Sequence, residues 1–166
     1  MRVLAVDPGL TRCGVAVVES GFDGKAHALL VDVVRTDPAV EHAVRLQSVF
    51  DAVRTHLMDS RAEVLVVERV FSQNNVRSAM GTAQAAAVCM LAASQLGLPV
   101  HQHTPTEVKA AVTGSGKADK RQVAFMVGRI LGLHELPKPA DATDALALGI
   151  CHVWRSRTGI GTGVGT

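Results

Sequence analysis

Thiols, aromatic rings and long apolar runs are all scarce in this chain. Its three cysteines, Cys13, Cys89 and Cys151, stand far apart with no Cys-x-x-Cys spacing. An odd, unpatterned set argues against a disulfide framework and a thiolate zinc site, and points to a reducing, cytoplasmic setting. No stretch reaches the roughly 18–20 apolar residues that a membrane span requires. Asp7 and Pro8 cut the first apolar run short, so no secretory leader is expected either. Aromatic residues amount to four Phe, one Trp and no Tyr, so an aromatic in a polar segment stands out. The net charge of +2 is too small to name a partner.

Ala and Val are what the chain has in quantity. With 166 residues and 48% hydrophobic content, one domain is expected. A domain of this size buries roughly 70% of its unfolded surface, enough for a core without staples. The charge is unevenly spread. Lys109, Lys117, Lys120, Arg121, Arg129 and Lys138 face only Asp119 and Glu135 within one segment, a local +4 that leaves −2 for the remainder. Such a segment suits a phosphodiester backbone, and it equally suits ordinary solvated helices.

The hydrophobic pattern predicts the elements. Arg2–Asp7, Cys13–Ser20 and Ala26–Arg35 read as three strands joined by short turns at Pro8-Gly9 and 21–25, an antiparallel meander. Val40, Val44, Leu46, Val49, Val53 and Leu57 recur at helical spacing up to about Met58. Glu63–Glu68 is a fourth strand. A polar loop (71–75) and an Ala-rich helix from about Val76 to Leu96 follow, then a short fifth strand, Pro99–His103. Helices are expected at Thr106–Val112, Lys120–Leu131 and Ala140–Trp154, and 158–166 reads as a flexible Gly/Thr tail after a domain spanning 1–157. Strand–helix–strand links of this length favour parallel pairing. The expected architecture is α/β, with a five-stranded mixed sheet and helices on both faces.

Four carboxylates stand out against this pattern. Asp7 ends one apolar run and Glu68 another, while Asp141 and Asp144 open the last helix three residues apart, on one face. If the first and fourth strands lie side by side and parallel, Asp7 and Glu68 share a sheet edge. Converging carboxylates suit magnesium, a hard ion that takes oxygen ligands, and two such ions can clamp a phosphodiester. Each acid also has a plain reading. Asp7-Pro8-Gly9 is a good turn, Glu68 marks where a strand surfaces, and Asp141 and Asp144 suit a helix start. Gly114-Ser115-Gly116-Lys117 lacks the full phosphate-loop pattern. His101 and His103 face one side of a short strand, with too few companions for zinc.

Several blocks resemble the RuvC family of Holliday-junction resolvases, within the ribonuclease H-like superfamily. They are 6–14 (VDPGLTRCG), 67–71 (VERVF), 81–84 (GTAQ), 108–114 (VKAAVTG), 118–123 (ADKRQV) and 140–147 (ADATDALA), in family order and spanning nearly all of 1–154. The chain resembles a whole family member whose C-terminal end looks cut short. The resemblance implies that Asp7, Glu68, Asp141 and Asp144 are catalytic and bind two Mg2+, with Mn2+ as an alternative ion. Some relatives have His where this chain has Asp141. Phe71 matches the family's aromatic wedge at the crossover, and it also suits an anchor for the following helix. Lys109 and Lys120 match basic residues that engage the scissile region, and Lys117 and Arg121 join them on charge alone. The implied protein is a cytoplasmic homodimer that nicks four-way DNA junctions symmetrically, leaving 5′ phosphates, with RuvA and RuvB as branch-migration partners. Its Ala/Gly-rich helix, around 81–93, is the expected dimer surface. Alternatives are another ribonuclease H-like nuclease, acting on RNA–DNA hybrids or structured DNA, and an actin-like ATP-binding fold. A DNA-binding module without catalysis would leave the four acids unexplained.

Overall fold

A computed structural model of the chain describes residues 1–69 and 76–157. Its strands are β1 (Arg2–Asp7), β2 (Arg12–Ser20), β3 (Ala26–Arg35), β4 (Val64–Glu68) and β5 (Val100–His103). The helices are α1 (His42–Ser60), α2 (Val76–Gln95), α3 (Pro105–Thr113), α4 (Lys120–Leu131) and α5 (Ala140–Arg157). The sheet order is β3-β2-β1-β4-β5. β1 pairs antiparallel with β2 and parallel with β4, and β4 pairs parallel with β5.

The apolar runs explain the centre of this sheet. Val3–Val6 and Val64–Val67 are buried throughout, as parallel strands covered on both faces must be. Alternate residues divide between two cores. Val3, Ala5, Val64 and Val66 pack with α3, α4 and α5, whereas Leu4, Val6, Leu65 and Val67 pack with α1 and α2. By the same alternation, Asp7 and Glu68 belong to the α5 face. β3 is an edge strand with mostly half-exposed positions.

Helix α5 packs close against the sheet at two glycines. A Cβ placed at Gly149 would meet Val18 Cγ2 at 2.5 Å and Ala5 Cβ at 3.4 Å. At the other end of the helix, a Cβ at Gly14 would meet the Asp141 carbonyl oxygen at 2.1 Å. These glycines let the start of α5 press against β2 beside the end of β1. Helices α3 and α4 open with capping boxes, Thr104 with Glu107 and Asp119 with Gln122.

Two expected boundaries move. α1 starts at His42, because Asp37 first closes a turn with its carboxylate on Ala39 N (2.9 Å) and its carbonyl on Val40 N (3.0 Å). α5 starts at Ala140 as expected but runs on to Arg157 rather than ending at Trp154, with Asp141 in its first turn and Asp144 one turn further in. The loop at 71–75 and the expected tail at 158–166 lie outside the described residues. Among the described residues, no helix is long and apolar enough to cross a membrane.

Candidate active site

The pairing of β1 with β4 ends on Val6 opposite Val67, so Asp7 and Glu68 follow at adjacent, parallel strand ends. Open α/β sheets commonly bind ligands at this edge. Asp7, Glu68 and Asp144 line one pocket of about 280 Å3, together with Lys109 of α3 and Lys120 at the start of α4. Val108, Val123 and Ala147 contribute apolar lining to it. Asp141 borders a neighbouring groove instead, yet its charge still reaches Asp7.

Burial pushes the Asp7 carboxyl up to about 8, reinforced by the charges of Glu68, Asp144 and Asp141 and opposed by Lys120. Burial also raises Glu68, with Asp144 adding to the effect and Lys120 and Lys109 opposing it. Clustered, desolvated carboxylates demand a positive charge. Two side chains supply it. Lys120 Nζ lies 3.1 Å from Asp144 Oδ2, and Arg12 Nε lies 3.2 Å from Asp141 Oδ2. Hydrogen bonding to Asp144 raises Lys120 in turn.

A hard divalent cation would answer the same demand, and the donor set is oxygen, as such ions prefer. The four carboxylates do not form a closed cage as they stand. Among the described residues, no three Asp, Glu, His or Cys side chains are gathered tightly enough to hold an ion. The residues therefore fit a divalent cation in chemistry and charge, with Asp141 and Asp144 held by neighbouring cations.

The expected DNA contacts separate into groups. Lys109 and Lys120 line the carboxylate pocket. Lys117 and Arg121 are exposed around the start of α4, and neither borders that pocket. Phe71 lies outside the described residues. His103 is buried, with Nε2 3.0 Å from Nδ1 of His152 on α5, and the His101 ring stacks obliquely on His152 at 4.9 Å. Burial, with His103, His101 and Arg155 nearby, depresses His152 to about 3, so it is a neutral core residue at physiological pH.

Sequence reasoning singled out neither Arg12 nor the groove beside it. The groove, about 750 Å3, runs along Gly9–Arg12 and is bounded by His42, Arg45 and Gln84. Arg45 donates to Thr36 Oγ1 and Thr11 Oγ1, both at 2.9 Å, bracing the β1–β2 turn. The turn itself requires Gly9, where a Cβ would lie 2.1 Å from the Arg12 carbonyl oxygen. The available signal was an arginine five residues beyond a strand-ending acid, in a turn too short to carry it far away.

An antiparallel β3-β2-β1 unit extended by parallel β4 and β5, with helices on both faces, is a ribonuclease H-like fold. A solved structure of Thermus thermophilus RuvC in complex with Holliday junction substrate matches at a TM-score of 0.90 and 36% identity, covering 96% of each chain. The family model for crossover junction endodeoxyribonuclease RuvC matches residues 3–152, and the chain belongs to that family. RuvC proteins from Frankia casuarinae and Rhodococcus jostii are both 59% identical, over 155 and 156 residues. Those alignments cover 93% and 94% of this chain, and 90% and 82% of the relatives.

Proposed function

We propose that this chain is a metal-dependent endonuclease that resolves four-way DNA junctions by paired nicks. Its family carries the name crossover junction endodeoxyribonuclease, and nucleases of that family are metal-dependent. The observation that carries the reading is the parallel pairing of β1 with β4, which ends both strands in acids facing Asp144 of α5. The Holliday junction bound to the Thermus relative supports the substrate class.

In this reading Asp7, Glu68, Asp141 and Asp144 hold two Mg2+ ions, with Mn2+ as the alternative. The ions supply an activated water and neutralise charge on the scissile phosphate. Asp7 and Glu68, fixed on a rigid sheet, define the site's floor. Asp144 and Asp141 approach from α5, whose closeness to the sheet Gly14 and Gly149 permit. Lys109 and Lys120, already beside the carboxylates, stabilise negative charge on the phosphate. Lys117 and Arg121 serve backbone phosphates further from the chemistry, and Phe71 serves bases at the crossover. Cleavage leaves a 5′ phosphate and a 3′ hydroxyl.

The finer assignments belong to the same proposal. Residues 1–157 form the nuclease domain and 158–166 a tail. A homodimer matches the two-fold symmetry of the junction, with α2 as its surface, and RuvA and RuvB supply branch migration in the cytoplasm. The test is a synthetic four-way junction incubated with and without Mg2+, comparing wild type with Asp7→Asn. Wild type should cut only with the ion, and the variant should bind the junction without cutting it. Full cleavage by Asp7→Asn would remove Asp7 from the site. Cleavage of RNA–DNA hybrids in preference to junctions would overturn the substrate.

A further inference from the structure

Arg12 has no part in the chemistry described so far, yet it holds one of the four acids. Its side chain is 54% exposed, whereas that of Asp141 is only 23% exposed. Its backbone is fixed at the start of β2, where Thr36 N donates to Thr11 O at 3.1 Å and Arg45 braces Thr11. The guanidinium thus stands half-exposed on a braced turn, 3.2 Å from Asp141 Oδ2.

The groove beside it sharpens the question. Among its lining residues the fixed cations are Arg12 and Arg45, and the acid is Asp141. His42 is engaged with Gln84 at 2.8 Å. A phosphate entering this groove meets a repulsive carboxylate unless Asp141 is neutralised. Arg12 does that now, but a guanidinium committed to Asp141 is largely spent for a phosphate. Relieving Asp141 with another cation frees Arg12, whose planar donor fork suits phosphate oxygens.

We propose that Arg12 is an exchangeable counter-ion. It neutralises Asp141 while no divalent cation is held, and it takes a DNA backbone phosphate in the adjacent groove once the cation engages Asp141. The inference rests on the reading that the four carboxylates hold the metal. It makes cation binding and strand binding favour each other, and such coupling is reciprocal. The cation must displace Arg12, so metal affinity in the absence of DNA is held down. The exchange also gives Arg12 a role that a permanent phosphate contact would lack, because its grip on DNA depends on the ion.

The experiment uses the full chain and the variant Arg12→Gln, which keeps a polar side chain at a half-exposed position. Free Mn2+ is counted by electron paramagnetic resonance without DNA. Affinity for a four-way junction is measured in EDTA and in Ca2+, with Asp7→Asn as a control. Arg12→Gln should bind Mn2+ about 2–5-fold more tightly, the range of a partly exposed ion pair. Its junction affinity should fall about 2–5-fold in Ca2+ and change little in EDTA, and its salt dependence in Ca2+ should drop by about one phosphate contact per subunit. If Arg12→Gln matches wild type in Mn2+ affinity while Asp7→Asn loses Mn2+, the exchange is overturned and the carboxylate site stands. Equal loss of junction affinity in EDTA and Ca2+ also overturns it, leaving a plain phosphate contact. If wild type holds no Mn2+, or Asp7→Asn holds it equally well, the underlying reading of the carboxylates fails first.

Discussion

Asp7→Asn should make the metal-free protein more stable at pH 8, even though the same variant is expected to lose cleavage. The Asp7 carboxyl is raised from 3.8 to about 8, chiefly by burial and then by Glu68, Asp144 and Asp141. Its proton is therefore held more tightly folded than unfolded. Stability is fully present below about pH 4 and is lost as pH rises towards 8, where the folded protein must either carry a buried charge or keep a proton that the unfolded chain has shed. About four pH units at 1.36 kcal/mol each set a ceiling on the order of 5–6 kcal/mol. The pocket opens to solvent, so water shares the charge, and the expected gap is about 2–3 kcal/mol. For a protein of this size that corresponds to roughly 4–12 °C in melting temperature. The assay is thermal unfolding of both proteins in EDTA at pH 4.5, 6 and 8. The two curves should nearly coincide at pH 4.5 and separate progressively upward, with the variant higher. Millimolar Mg2+ should then raise wild type and leave the variant almost unmoved, because an ion bound only to the folded state adds its binding energy. An Asp7→Asn protein less stable than wild type at pH 8, or a gap independent of pH, would refute the argument that these carboxylates strain against one another.

Two further outcomes follow from packing and from the histidine cluster. Gly14→Ala puts a Cβ 2.1 Å from the Asp141 carbonyl oxygen, so the start of α5 must lift away from β2. Junction cleavage should fall about 100-fold, with a stability loss of about 1–3 kcal/mol by urea titration; wild-type cleavage would show that the close approach does not position Asp141. Burial, first, and then His103 and His101 hold His152 down from 6.5 to about 3, so the unfolded chain takes up a proton that the folded one refuses. This contribution is complete above pH 6.5 and declines as pH falls towards 3, by about 2 kcal/mol at pH 5. Urea unfolding at pH 7 and pH 5 should show that loss in wild type and a smaller one in His152→Gln; equal losses would place the acid sensitivity elsewhere.

The sheet was legible because central parallel strands must be apolar on both faces, and few segments satisfy that demand. Val3–Val6 and Val64–Val67 do, and the acid closing each run marks the strand ends at one edge. The start of α1 was less legible, because a local turn competes with the helix for the same residues. Asp37 captures two backbone amides and delays α1 to His42. The acids on α5 were legible as a pair, but their partners were not. Spacing along one helix says which side chains share a face, and nothing about which cation arrives from another element. Lys120 reaches Asp144 across 24 positions, and Arg12 reaches Asp141 across far more. Both contacts depend on how low α5 sits, and that height is set by what Gly14 and Gly149 lack. A glycine inside a strand or a helix looks like a weakness in a propensity reading. Here the missing Cβ atoms let the backbone of α5 reach the end of β1, so the closeness of the acids originates in residues that carry no chemistry. Changing such a residue should therefore separate the charges more effectively than changing any one charge.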